Sequence, residues 1–218
     1  GSWRQVPNAT DDDPPPPIAE RTVFTFNADG TMMAVSPGDT DTGTYVIEGG
    51  SIIDTRNKSN LTQKRIDKLS AIKFDELPLK DAIVIKQGNG ARKLAVFADP
   101  NCGYCKRLER ELVALKDVTI YNFIYPVLGP DSDQKSRAIW CSKDAMKTWR
   151  DWMLDGVAPP RAMGKCDDAA IQRTTDYGKK YRINGTPAII FESGERVPGA
   201  LSGADLAKRM DEAKKPKS

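Results

Sequence analysis

Cys102-Gly103-Tyr104-Cys105 stands where an apolar run gives way to an amphipathic one, and that junction restricts the fold more than any other stretch of the chain. Upstream, Leu94-Ala95-Val96-Phe97-Ala98 has no polar break, the pattern of a strand buried on both faces. Downstream, Cys105, Leu108, Leu112 and Leu115 recur at helical spacing, while Lys106, Arg107, Glu109, Arg110 and Glu111 fill the other faces. The cysteines therefore fall in the first turn of a helix, where main-chain N–H groups are unpaired and the dipole is positive. A free thiol with a pKa of about 8.5 is only about 3% thiolate at pH 7, and a C-x-x-C at a helix N-terminus brings the first thiol to about 7 or lower. Cys102, nearer the terminus and the solvent, is expected to attack; Cys105, one turn in on the apolar face, is expected to resolve.

Two other readings compete. C-x-x-C is also half of a zinc site, but the gaps between the four cysteines are 2, 35 and 24 residues, and no histidine exists to complete a common ligand set. A purely structural disulfide between Cys102 and Cys105 is the other, and the strand-to-helix setting stands against it. The absence of histidine excludes hydrolases with a histidine base and histidine-ligated metal enzymes. Neither a metal nor a cofactor is expected. A net charge of +3 does not call for nucleic acid, since Lys214-Lys215 reads as a solvated terminus. No apolar stretch reaches the length needed to span a bilayer.

Read in order, the chain opens on Gly1-Ser2, which has the look of an expression scar, with no signal peptide before it. Asp11-Asp12-Asp13 and Pro14-Pro15-Pro16-Pro17 make residues 1–18 an extended or disordered leader. Residues 19–60 read as a small antiparallel β domain: Val23-Phe24-Thr25-Phe26 and Thr31-Met32-Met33-Ala34-Val35 about an Asn27–Gly30 turn, a polar loop from Ser36 to Thr42, then Thr44–Glu48 and Ser51–Asp54 about Gly49-Gly50. Residues 61–77 form a linker, with a helix from Leu61 to about Ile72 capped by Asn60 and Gln63; Pro78 marks the boundary. Residues 78–218 read as an α/β domain. Ala82–Lys86 and Lys93–Ala98 flank Gly88-Asn89-Gly90 as a hairpin would. A strand is expected at Val118–Tyr125, helices at Ser132–Trp140 and Ser142–Leu154, and another helix capped by Asp168 and running to Tyr181. Ala145, Met146, Trp149, Trp152 and Met153 share one face of the second of these, as core residues do. Ile183–Pro187 is a turn, Ala188–Glu192 a buried strand, Ser193-Gly194 a tight return, and Ser202 with Asp205 opens the last helix, to Ala213. That order of elements is thioredoxin-like.

Several separated stretches carry a closer likeness: Ile53-Asp54 with Asn60-Leu61-Thr62, Val96 to Cys105, Ala138 to Asp144, Gly185-Thr186-Pro187-Ala188 and Val197-Pro198-Gly199. On these the chain resembles bacterial periplasmic thiol:disulfide interchange proteins, the disulfide isomerases of the DsbC/DsbG type. The resemblance implies an α/β fold: a thioredoxin-like catalytic domain with inserted helices, preceded by a small antiparallel β domain and a linker helix. It implies that Cys102 forms a mixed disulfide with substrate and Cys105 releases it, with Gly103 and Tyr104 completing the motif. Pro187 would be a cis-proline facing the pair, and Thr186 would present its backbone to a substrate peptide. Cys141 and Cys166 would form a second, structural disulfide, whose loop of about 25 residues is worth about 3.5 kcal/mol by chain entropy. The implied partners are misfolded disulfide-containing exported proteins, a DsbD-like membrane reductase and a second copy joined through the N-terminal β domain. The implied location is the periplasm, with the signal peptide removed. The same chemistry would also serve a monomeric oxidase or a dedicated reductase, and the β domain would suit a chaperone-like binding module in which the thiols matter little. The departure from the family lies at the N-terminus. There the leader replaces a helix, and Val23 to Gly43 matches less well, with a longer loop around Asp39-Thr40-Asp41; this bears on the dimer and not on the active site.

Overall fold

The computed structural model describes residues 2–3, 23–36, 39–161 and 166–213. The chain divides into two units, Gly1–Leu69 and Ser70–Ser218. The first contains β1 (Ser2–Trp3), β2 (Val23–Phe26), β3 (Thr31–Ser36), β4 (Asp39–Glu48), β5 (Ser51–Asp54) and most of α1 (Leu61–Ser70). The five strands form one antiparallel sheet in chain order. Gly49 and Gly50, with φ of 54° and 78°, supply the two left-handed positions that a two-residue hairpin between Glu48 and Ser51 needs. The Phe26 and Tyr45 rings meet edge to face at 4.7 Å.

Three expectations for this region change. Ser2 and Trp3, assigned to the leader, pair with Thr25 and Phe24; the remainder of the leader lies outside the described residues. The polar stretch Ser36–Thr42 is largely strand, because Ser36 pairs with Asp39, Val35 with Thr40 and Met33 with Thr42. Threonine's branched β-carbon suits an extended backbone whatever its polarity, so the hydropathy pattern understated this hairpin. The linker helix is also shorter than its apolar spacing implied. Asn60 caps it, its side chain accepting from the Gln63 N–H at 2.7 Å, but it stops at Ser70. Ile72, Phe74 and Leu77 leave the helical path and are buried in the second unit, with the Ile72 N–H donating to the Gly194 carbonyl at 3.0 Å.

The second unit runs through two single-turn 3-10 helices (Phe74–Glu76, Leu79–Asp81), then β6 (Ile83–Gln87), β7 (Arg92–Ala98), α2 (Gly103–Val113) and β8 (Val118–Ile124). There follow α3 (Pro130–Trp140), α4 (Ala145–Asp155), α5 (Ala169–Lys180), β9 (Ala188–Phe191), β10 (Arg196–Pro198) and α6 (Gly203–Ala213). The sheet order is β10-β9-β7-β8-β6. β6 and β7 are not a hairpin. β8 lies between them, parallel to β7 from Arg92↔Val118 to Ala98↔Ile124 and antiparallel to β6 from Ile83↔Asn122 to Gln87↔Val118. The Gly88-Asn89-Gly90 turn exists, with φ of 57° and 69° at its glycines. It carries the chain past the start of β8, where Asp117 accepts from the Asn89 and Arg92 N–H groups at 3.0 Å each. A strand apolar on both faces fills the sheet interior better than an edge does, and β8 qualifies where β6, with half-exposed Val84, does not.

β7 alternates between two cores. Leu94, Val96 and Ala98 face Cys105, Leu108, Leu112, Ile139, Trp149, Met153, Leu206 and Met210, from α2, α3, α4 and α6. Ala95 and Phe97 face the opposite side with Phe123, Tyr125, Ile190 and, from α5 and its end, Tyr177 and Tyr181. Trp149 and Met153 of α4 are buried and Ala145 and Trp152 pack against the core, but Met146 is 38% exposed and leaves the expected apolar face. α4 begins at Ala145 rather than Ser142, with Asp144 as its N-cap accepting from the Lys147 N–H at 2.9 Å. Asp168 precedes α5 without capping it. Asp167 accepts from the Ala169 N–H at 3.1 Å instead, and Asp168 is turned to Arg137, 3.2 Å away.

α5 meets the sheet at Gly178, where a β-carbon would come within 2.5 Å of the Tyr125 ring. Gly178→Ala sets about 1 kcal/mol of helix propensity against about 1–3 kcal/mol of overpacking by a buried ring. Net destabilisation of up to about 2 kcal/mol is expected in urea unfolding.

Candidate active site

β7 ends at Ala98, and the chain turns through Asp99-Pro100-Asn101 into α2 with Cys102 as N-cap (φ −77°, ψ 117°). The Cys102 Sγ accepts from the Cys105 N–H at 3.2 Å, taking the place that a serine or aspartate oxygen usually holds at a helix start. The Cys102 thiol also donates to the Thr186 carbonyl at 3.3 Å. Thr186-Pro187 is a cis peptide, and the Gly199 N–H donates to the Pro187 carbonyl at 2.8 Å, fixing the loop at the head of β9 and β10. Cys102 and Cys105 are both free and both buried, at 6% and 2% exposure. Cys102 is thus the more open sulfur, though far less so than its place at a helix terminus implied. Gly103 is exposed, and Tyr104 projects outward at 68% exposure.

Burial pushes the Cys105 thiol well above its ordinary range, and its hydrogen bond with Cys102 adds to the shift, against a main-chain hydrogen bond from Asp99. Burial alone would hold Cys105 as a thiol. Further along the same face of α2 lies a second buried acid, Glu109, at 3% exposure. The Trp149 indole N–H donates to its Oε2 at 3.0 Å, and the Arg150 Nε lies 3.7 Å from its Oε1. Burial outweighs both and holds the Glu109 carboxyl above its usual value.

The loop between β7 and α2 is held from two sides. Asp99 is fully buried beneath it, and its carboxylate accepts four hydrogen bonds: Asn101 N–H (2.7 Å) and Ser132 Oγ–H (2.8 Å) on Oδ1, Val127 N–H (2.7 Å) and Leu128 N–H (3.0 Å) on Oδ2. From the other side the Trp152 indole N–H donates to the Pro100 carbonyl at 2.6 Å, and the Trp152 ring carries the Lys106 and Lys135 ammonium groups at 4.0 and 4.9 Å. Tyr125 braces the facing loop, its OH donating to the Ile183 carbonyl at 3.0 Å. The sequence assigns Asp99 no role of its own and reads Trp152 only as core; the fold alone shows that Asp99 meets three donors some thirty residues away.

Cys141 and Cys166 are joined, with S–S 2.09 Å and Cα–Cα 5.8 Å. The bond links the end of α3 to the approach to α5, where the Trp140 indole also donates to the Asp167 carbonyl at 3.0 Å.

Residues 79–214 match the family model of the thioredoxin-like domain. Over 167 residues the chain is 47% identical to the probable thiol:disulfide interchange protein DsbC of Bordetella parapertussis, covering 77% of this chain and 58% of that protein. Over 183 residues it is 30% identical to the thiol:disulfide interchange protein DsbC of Escherichia coli, covering 81% and 73%. The chain therefore spans a little under three fifths of the length of its Bordetella relative. The crystal structure of a disulfide interchange protein from Neisseria gonorrhoeae superposes with a TM-score of 0.59 at 37% identity, covering 64% of this chain and 100% of that one. A linker-deletion mutant of Proteus mirabilis ScsC shares the fold at 22% identity, with a TM-score of 0.53, covering 61% of this chain and 74% of that one.

Alkylation with iodoacetamide near neutral pH is expected to mark Cys102 before Cys105, whose thiol is buried and raised, and to leave Cys141 and Cys166 untouched without reductant; peptide mass mapping reads the order. For Glu109 the sign follows from its raised carboxyl. Below the ordinary value of 4.5 both folded and unfolded chains hold the proton; as the pH rises past it the unfolded chain ionises first, so stability falls. Denaturant unfolding across the pH range should find Glu109→Gln more stable than the native sequence at neutral pH, with the advantage gone below about pH 4.

Proposed function

Because the chain belongs to the thioredoxin-like family of DsbC-type thiol:disulfide interchange proteins, we propose that it rearranges non-native disulfides in exported proteins, as an isomerase and reductase. The observation that carries the reading is the free Cys102–Cys105 pair at the start of α2, with the Cys102 thiol against the carbonyl that precedes cis-Pro187.

Cys102 attacks as a thiolate. Its sulfur bonds to one sulfur of a substrate disulfide, and the other substrate sulfur leaves as a thiolate. If a different substrate cysteine then attacks the substrate sulfur of the mixed disulfide, the Cys102 thiolate departs and the substrate carries a new pairing with no net oxidation. If Cys105 attacks the Cys102 sulfur instead, the substrate leaves as a dithiol, and the enzyme holds a Cys102–Cys105 disulfide, having given up two electrons. Cys105 must lose its proton for that step, and its raised thiol delays it, which favours rearrangement while substrate remains attached. The Thr186 carbonyl, released when Cys102 gives up its proton, is free to take a substrate N–H as an added strand would.

The proposal includes a membrane reductase of the DsbD kind, returning two electrons after each reductive turnover, and a second copy of the chain joined through the β1–β5 sheet. A disulfide outside the reactive pair supports an oxidising compartment such as the periplasm. Among the described residues no helix is long and apolar enough to cross a membrane.

Recovery of ribonuclease activity from scrambled ribonuclease tests the reading. Cys102→Ser should lose at least about a hundredfold in rate, and Cys105→Ser should accumulate mixed disulfide. Equal activity of the native chain and Cys102→Ser would falsify it.

A further inference from the structure

Asp99 is a buried carboxylate that the exchange chemistry does not use. It lies fully inside the fold, and three main-chain N–H groups and one hydroxyl satisfy its two oxygens. Burying a polar group is costly unless it is hydrogen-bonded, and here the four bonds it accepts lead to three segments: the turn before Cys102, the β8–α3 connection and the start of α3. Through Asn101 it fixes the residue before the reactive cysteine. Through Val127 and Leu128 it fixes a segment whose two apolar side chains are exposed, at 43% and 55%. Through Ser132 it fixes the first turn of α3, and the Asn101 side chain repeats that link, donating to the Asp131 carboxylate at 2.6 Å and the Ser132 Oγ at 3.1 Å.

We propose that Asp99 is a positioning residue, which holds Cys102 and the Val127–Leu128 segment in one fixed relation so that a polypeptide docked on that segment presents its sulfur to Cys102. The inference rests on the thiol:disulfide reading above. It goes beyond that reading by assigning the geometry of the site to a residue that never meets the substrate.

Only a carboxylate fits this place. All four neighbours donate, two to each oxygen. An asparagine of the same shape would turn an NH2 group towards at least one main-chain N–H donor whichever way it lay. Asp99→Asn therefore keeps the volume and breaks the junction on one side.

The test compares two rates in each variant: exchange with a disulfide-bonded peptide carrying apolar residues beside its cysteines, and alkylation of Cys102 by iodoacetamide, which needs no docking. Asp99→Asn is expected to slow peptide exchange about tenfold, through a raised half-saturation concentration and a lowered maximal rate, with alkylation changed by less than about twofold. A folded Asp99→Asn protein whose peptide exchange stays within about twofold of the native chain would overturn the proposal. So would a parallel fall in both rates, which marks general loosening. Should Asp99→Asn not fold, Ser132→Ala removes one of the four bonds: a loss of about threefold in peptide exchange alone supports the proposal, and an unchanged ratio of the two rates overturns it. A native chain that exchanges no faster than Cys102→Ser refutes the thiol:disulfide reading instead, and the two failures are thereby distinguished.

Discussion

Everything in the second unit follows from a central strand that can meet water on neither face. β7 is covered by α2, α3, α4 and α6 on one side and by Phe123, Tyr125 and the Tyr177–Tyr181 region on the other, and β8 and β9 occupy both its edges. A strand so enclosed can expose functional groups only where it stops. Its partner β8 is parallel, so α2 must start at the end of β7 and cross back over the sheet. The reactive cysteine is therefore placed by connectivity at the carboxyl end of the sheet, where α/β folds bind their ligands. The loop bearing Thr186 and Pro187 reaches the same end because β9 runs antiparallel to β7, with Phe97 opposite Ala188.

The two buried acids near this end differ in what surrounds them. Asp99 meets four donors and joins segments from three parts of the chain. Glu109 receives one indole N–H, and its Oε1 has no hydrogen-bond partner, with an arginine 3.7 Å away. The first arrangement is rigid because its four bonds tie three separate segments to one side chain. The second leaves a charge poorly compensated, and such a group is retained at a cost in stability. Two carboxylates on neighbouring elements thus do opposite things to the fold.

What could be read from sequence was what local physics decides. The strand before the cysteines, the helix after them and the turn chemistry at Gly49-Gly50 each depend on residues close in the chain. The second cysteine pairing and the proline loop came through likeness to a family, since no local rule joins Cys141 to Cys166 or brings Thr186 to Cys102. The misreadings have a common cause. Ala82–Lys86 and Lys93–Ala98 resemble hairpin strands because the sequence cannot show that β8 comes between them. Met146 and Ile72 keep the spacing of a buried helical face, but one lies where α4 is open to water and the other lies beyond the point where α1 ends. Asp99 carries no such local signal because three of its four partners come from the β8–α3 connection and the start of α3.

The atom that caps α2 is also the atom that exchanges electrons. As a thiolate, Cys102 is a stronger acceptor for the Cys105 N–H than as half of a disulfide, so the first turn of α2 is better capped when the pair is reduced. A thermodynamic cycle then applies: whatever makes the reduced fold more stable than the oxidised one makes the disulfide form a correspondingly readier electron acceptor, relative to the same two cysteines in an unfolded chain. The stability difference between the two forms, to which this cap contributes, and the reduction potential are then one quantity measured in two ways, by the difference in unfolding between the two forms or by equilibrium with a thiol buffer.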